Sequence, residues 1–206
     1  MSRRLTVLAT SSVALGLTLG TALFPGTAFA NAGNSIAPLE DAYVSSAHPE
    51  VNYGSTQRMW VDNDEDVLTS YLKFDVKTSV YDGHNACEGG VFSASSATLS
   101  LKVDNLSDGT QDVWTTAPDW TEGTLTHDNR PAPVDDNPWG HVYGAPGSLI
   151  DGSASIAIDG QAIDEACRDY NGILSLVIQG GTTNAIAFAS REASADQPEL
   201  MVVVGD

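Results

Sequence analysis

The chain has 206 residues, with 27 Asp and Glu against nine Lys and Arg and a formal net charge of −18 at pH 7. A surface this acidic repels phosphate backbones and anionic headgroups, which removes nucleic acid and lipid surfaces from the partners to consider. Four scattered histidines and two cysteines, with no His-x-x-x-His spacing, give no transition-metal motif either.

Residues 1–30 read as a signal peptide. Arg3 and Arg4 form a short positive head, Leu5 to Phe24 an apolar run, and Ala28-Phe29-Ala30 a small-x-small cleavage site. The run is nearly long enough to span a bilayer, but it is diluted by Thr6, Thr10, Ser11, Ser12, Gly16, Thr18 and Gly20 and ends in Pro25-Gly26. Cleavage after Ala30 is therefore expected over anchoring, which makes the protein secreted and extracellular, with no membrane contact afterwards. The start Ser2-Arg3-Arg4 is too short a signal to choose between general secretory and twin-arginine export. Cleavage takes 30 of 206 residues, leaving 176, and removes two positive charges, so the formal charge falls from −18 to −20. That length suits one domain with a real core.

Residues 31–39 form a polar, flexible lead, and residues 40–206 the domain. Asp41 to Ser45 reads as a first strand and His48 to Ser55 as a loop. Arg58 to Val61 and Val67 to Val76 read as a hairpin around the acidic tip Asp62-Asn63-Asp64-Glu65-Asp66. In Ala97 to Asp104, Leu99, Leu101 and Val103 alternate with Ser100, Lys102 and Asp104, the pattern of a half-buried strand. Asp112 to Thr116 is a further strand. Ala117 to Gly152 is a long insert rich in Pro, Gly, Asp and Asn, a kind of segment that often carries function. Ala154, Ile156 and Ile158 alternate again. Gln161 to Tyr170 is the one helix, with Ala162, Ile163, Ala166 and Cys167 as its buried face. Ile173 to Gln179, Ala185 to Ser190 and Leu200 to Val204 complete the strands. About ten short strands and one helix predict an all-β fold, an antiparallel β-sandwich of jelly-roll type. In an exported chain, Cys87 and Cys167 pair as a disulfide. Closing a loop of about 80 residues contributes at most about 4.5 kcal/mol on the chain-entropy account.

Seven segments in order carry a family likeness. They are Asp41-Ala42-Tyr43-Val44 with Asn52-Tyr53-Gly54-Ser55, then Tyr71-Leu72-Lys73-Phe74-Asp75, and Ser96 to Leu101. Trp120-Thr121-Glu122 with Leu125-Thr126 follows, then Asn129-Arg130-Pro131-Ala132, Phe188 to Ala193, and Pro198-Glu199-Leu200. Together they resemble the DNRLRE-domain family, also classed as carbohydrate-binding module family 96. The resemblance covers nearly all of residues 40 to 204. It implies a secreted bacterial or archaeal jelly-roll sandwich without catalytic machinery, often attached to polysaccharide-degrading enzymes or surface proteins, with alginate bound by some members. His127 stands where members usually carry an aromatic residue. Seven basic residues remain after Arg3 and Arg4 are removed from nine, too few to favour a polyanionic ligand.

The four tryptophans are the candidates for a sugar platform, because a flat ring buries the C–H face of a pyranose while polar neighbours bond its hydroxyls. Trp60 lies beside the acidic tip, between Met59 and Val61, which leaves its facing undecided. Trp120, in a Trp-x-Glu motif, reads as a core or loop anchor. Trp139, His141 and Tyr143 alternate in the insert and could line one strand face as a glycan platform or cover the sandwich edge. Asp62, Asp64 and Asp66 have the composition of a calcium site, but Val67 and Lys73 stand where an EF-hand loop needs Gly and Glu, and a solvated hairpin tip is the competing reading. No other cofactor is indicated. Arg130 and Arg191-Glu192 read as loop clamps. No nucleophile elbow occurs, and 27 carboxylates make any glycosidase pair arbitrary, so the chain is read as no enzyme. The leading expectation is a non-catalytic module that binds extracellular or cell-wall polysaccharide. The alternative is a structural exoprotein that self-associates through its sheet edges.

Overall fold

The computed structural model describes residues 34–81, 84–88, 93–105, 110–134, 140–143, 152–180 and 183–205. In chain order these give β1 (Asn34–Ile36), β2 (Glu40–Ser45), β3 (Arg58–Asn63), β4 (Val67–Asp75), β5 (Val80–Tyr81), β6 (His84–Asn85) and β7 (Ser93–Asn105). There follow β8 (Thr110–Thr115), β9 (Gly140–Tyr143), β10 (Ser153–Asp159), the helix α1 (Gly160–Asp169), β11 (Ile173–Gly180), β12 (Ile186–Ala189) and β13 (Glu199–Gly205). The main sheet is a curled path, β1-β13-β7-β12-β3-β4-β11-β8-β9, with β10 added beside β7 and β2 beside β4. All pairings are antiparallel. The path closes on itself into an all-β sandwich. Phe74, Leu174 and Ile178 from the β4-β11-β8 side share one buried cluster with Leu101, Ile156 and Leu200 from the β13-β7-β10 side.

Alternation explains the back of this sandwich. In β7, Leu99 has Ile156 opposite it on one side and Leu200 on the other, and all three are buried. The polar residues between them turn outward because successive side chains in a strand take opposite faces. The front strands behave differently. In β4 both Leu72 and Phe74 of the core and the outward-facing Tyr71 and Lys73 are buried, so a second layer must cover the sheet there. That layer is the segment 117–134, the first half of the insert.

Three expectations change. Asn34–Ile36 is not part of a flexible lead. It pairs with Leu200–Val202 and places Ile36 in the core, satisfying the edge of β13 that would otherwise be left open. The expected β3–β4 hairpin pairs only at its tip, Asp62 with Leu68 and Asn63 with Val67. The rest of β3 pairs with β12 instead, because β3 is where the path turns from one layer to the other. The insert is not loop throughout, since Gly140–Tyr143 adds a strand to the edge at β8.

The helix begins where Asp159 caps it by accepting from the Gln161 N–H at 2.9 Å. It ends as Gly172, at φ +79°, donates back to the Ala166 carbonyl at 2.8 Å. Ala162, Ile163 and Ala166 are buried, as the spacing predicts. The Cys87–Cys167 disulfide, with Cα atoms 5.2 Å apart, ties the turn after β6 to this helix. Among the described residues no helix is long and apolar enough to cross a membrane.

Candidate functional site

The pairing of β3 with β12 decides which way Trp60 faces. Met59 and Val61 stand opposite Phe188 and Ile186 and enter the core with them, so Trp60 takes the outer face, opposite Ala187. There it is half-buried. Its backbone is pinned by the Ser70 hydroxyl, which donates to the Trp60 carbonyl at 2.8 Å. The ring lies in a cavity of about 610 Å³ whose floor also holds Tyr43 of β2 and Ala189 of β12, a volume within the usual range of ligand sites. Tyr43 is backed by Tyr53, with the rings stacked at 4.4 Å and 16°. Burial, then the neighbouring Tyr53 and Asp66, raises the Tyr43 hydroxyl pKa, so it remains a proton donor at neutral pH.

Arg58 and Asp104 form the polar side of the cavity, joined Nε to Oδ2 at 3.0 Å. Both are solvent-exposed, so the pair contributes little to stability. It does hold a donor and an acceptor in fixed positions beside the Trp60 ring. The facing wall is Ala193 to Asp196. A second cavity, of about 450 Å³, shares Ser194 to Asp196 with the first and continues past Lys102, Ser100 and Gln197. The two adjoin along these shared residues and are together called the trough.

Arg191 anchors the base of the wall. Its backbone N–H donates to Asp41 at 2.7 Å, and its guanidinium donates to the Leu39 carbonyl at 2.6 Å and to Glu192 at 2.8 Å. Nε is also 3.1 Å from Glu122. Asp41, Glu122 and Glu192 present oxygens within 4.8 Å of one another, and among the described residues this is the acidic group whose ligand atoms converge so closely. The Arg191 guanidinium already supplies a cation there, so the cluster reads as a clamp, as the sequence suggests for Arg191-Glu192. Asp41 is 1% exposed. Burial pushes its pKa up to about 8 against the opposing Arg191 N–H bond, with Glu192 and Glu122 pushing it further up. Asp41 is thus protonated at neutral pH, which lets three carboxyls sit around one guanidinium.

The segment 117–134 carries the other family residues. Trp120 is 5% exposed and packs with Tyr71, Leu125 and Val177 in a second apolar cluster. Its Nε1 donates to Ser175 Oγ at 2.9 Å. Lys73 lies 4.4 Å from the Trp120 ring centre, donates to the Trp120 carbonyl, and pairs with Glu40. Asn52 Nδ2 donates to the carbonyls of Glu122 and Leu125 at 2.6 and 2.8 Å. A side chain at Gly54 would collide with the Glu122 carbonyl. Arg130 bonds the His127 carbonyl. The segment is therefore a structural cover.

At the acidic tip the carboxylates separate. Asp66 turns back to accept from Ser45 Oγ at 2.7 Å and the Ala47 N–H at 2.9 Å. Burial alone would raise its pKa, but the bonds from Ala47, Ser45 and Ser46 outweigh it and leave the pKa below the usual carboxylate value. Asp62 accepts from the Asn63 N–H at 2.8 Å, and Asp64 is exposed. The tip residues Asp62, Asp64 and Asp66 form no convergent trio.

Trp139 lies outside the described residues. His141 and Tyr143 fall in β9, paired with Asp112 and Thr110, at the opposite edge of the front sheet from β2. Of the tryptophans read from sequence as platform candidates, Trp60 lines the trough. Tyr43, Arg58, Asp104 and the 194–196 wall went unread as site residues. Tyr43 and Tyr53 had a signal in their motif segments, whereas Arg58 and Asp104 are 46 positions apart and had none.

A family model for carbohydrate-binding module family 96 matches residues 33–204. Among proteins of curated function, none matches the sequence.

Proposed function

The chain belongs to carbohydrate-binding module family 96, and from that premise we propose that it is a secreted, non-catalytic module that binds extracellular or cell-wall polysaccharide in the Trp60 trough. The observation that carries the proposal is an outward-facing, half-buried indole on the floor of an open cavity of about 610 Å³, with Tyr43 beside it. An indole in this setting can bury the C–H face of a sugar ring. Arg58, Asp104 and Gln57 then stand at the edge to exchange hydrogen bonds with its hydroxyls, the mix of apolar floor and few placed polar groups that ligand sites show. Modules of this kind are generally non-catalytic, and the acid cluster at Asp41 is built around a guanidinium rather than around a cleft. Secretion rests on the Arg3-Arg4 head, the apolar run and Ala28-Phe29-Ala30.

Affinity electrophoresis of the mature chain through gels containing neutral and acidic polysaccharides tests this. At least one polymer should retard the protein, and Trp60→Ala should weaken retention by about tenfold or more, a loss of about 1.4 kcal/mol. Retardation by none of the polymers would overturn the proposal.

A further inference from the structure

Resting on the polysaccharide reading, we propose that the trough takes an internal stretch of an uncharged polysaccharide rather than a polyuronate or a chain end. The first argument is charge. Arg58 and Lys102 face the trough together with Asp104, Asp196 and Glu199, two cations against three carboxylates. The nearest of these cations to Trp60, Arg58, is already paired with Asp104. A polymer with a carboxylate on each sugar would bring a row of negative charges past Asp196 and Glu199, on a protein of formal charge −18. At contact distance like charges repel, and more strongly beside a protein surface than in bulk water. No surplus of guanidinium or ammonium groups offsets that row.

The second argument is the polar chemistry. Past Asp104 the lining changes from aromatic to hydroxyl and amide: Ser100, Ser153, Ser194 and Gln197. These groups both donate and accept, which suits sugar hydroxyls and gives no advantage to carboxylates.

The third is length. Trp60, Ala187 and Asn105 lie in register across β3, β12 and β7. Ser100 is five residues further along β7, about 16 Å of extended strand at about 3.3 Å per residue. That exceeds one sugar ring. The two cavities share Ser194 to Asp196 in their lining, so a chain longer than one ring can contact both.

The test is calorimetric titration of the mature chain with neutral oligosaccharides of two to six units, a β-glucan, a mannan and a xylan series, and with matched polyuronates, at roughly 20 and 200 mM sodium chloride. One neutral series should bind, with affinity rising at least about tenfold from two units to six and changing less than about twofold with salt. Asp196→Asn/Glu199→Gln, both exposed positions, should strengthen any weak polyuronate binding, because it removes the carboxylates that repel the polymer. Salt-sensitive binding of a polyuronate alone, lost in Arg58→Gln/Lys102→Gln, would overturn the inference while leaving the polysaccharide reading standing. Full affinity at a single terminal unit would overturn the internal-chain claim. Neutral binding indifferent to Trp60→Ala, in a variant whose circular dichroism matches the parent, would move the site elsewhere. Binding of no saccharide at all would end both this inference and the reading beneath it.

Discussion

Trp120 and Trp60 sit on outer faces of the same sandwich and have opposite fates. The outer face of the front sheet is sealed by the segment 117–134, which buries Tyr71, Val177 and Trp120 and threads a polar layer of Lys73, Glu40 and Glu122 beneath it. Among the described residues no such segment covers the outer face around β3 and β12, and Trp60 remains half in solvent between an ion pair and a loop wall. The same residue type is therefore structural where a loop closes over it and available for a ligand where none does. The family motifs mostly fall in the sealed region and its Arg191 clamp, where they hold the fold, although Tyr43, Ala189 and Ala193 of these segments also line the trough.

Substitutions can break this contrast. Trp120→Ala should have the largest effect, a loss of about 3–5 kcal/mol of unfolding free energy in urea titration, because it empties a buried site, takes the Nε1 donor from Ser175 and removes the ring beneath Lys73. A loss below about 1 kcal/mol would mean the cover is not integral to the fold.

Asp41→Asn should act through pH. In the folded protein Asp41 keeps its proton up to about 8, against 3.8 for an aspartate side chain in water. Between those values the folded state holds a proton the unfolded chain has lost, so unfolding free energy falls as pH rises from about 4 to about 8. Asn mimics the protonated acid, so the variant should lose that decline and be more stable relative to the parent at pH 9 than at pH 5. Asp66 contributes in the other sense: its lowered pKa adds stability above 3.8 that is lost as pH falls through the lowered value. Identical slopes for parent and Asp41→Asn above pH 4 would refute the reading of Asp41 as the protonated member of the clamp.

Trp60→Ala should have the smallest effect on stability, about 1 kcal/mol or less in the same urea assay, because its ring is already half solvated. A loss comparable with that of Trp120→Ala would erase the distinction between the two faces.

Local chemistry made much of the architecture readable. Leu99, Leu101 and Val103 announced their strand by a period of two, and Asp159 and Gly172 mark the ends of the helix with short-range bonds. Two cysteines in a chain with an export signature left one pairing. These are decisions that neighbours in sequence make, through side-chain alternation and capping. The facing of Trp60 was different: Met59, Trp60 and Val61 are all apolar, so the run has no phase of its own. It was set by Phe188 and Ile186, more than 120 positions away, whose own burial pulls Met59 and Val61 inward. The Arg58–Asp104 pair, the Arg191 clamp on Asp41 and the inward turn of Asp66 likewise depend on strands distant in the chain. Register between such strands is fixed by how the core packs, a property of the assembled sandwich that no local stretch of residues encodes.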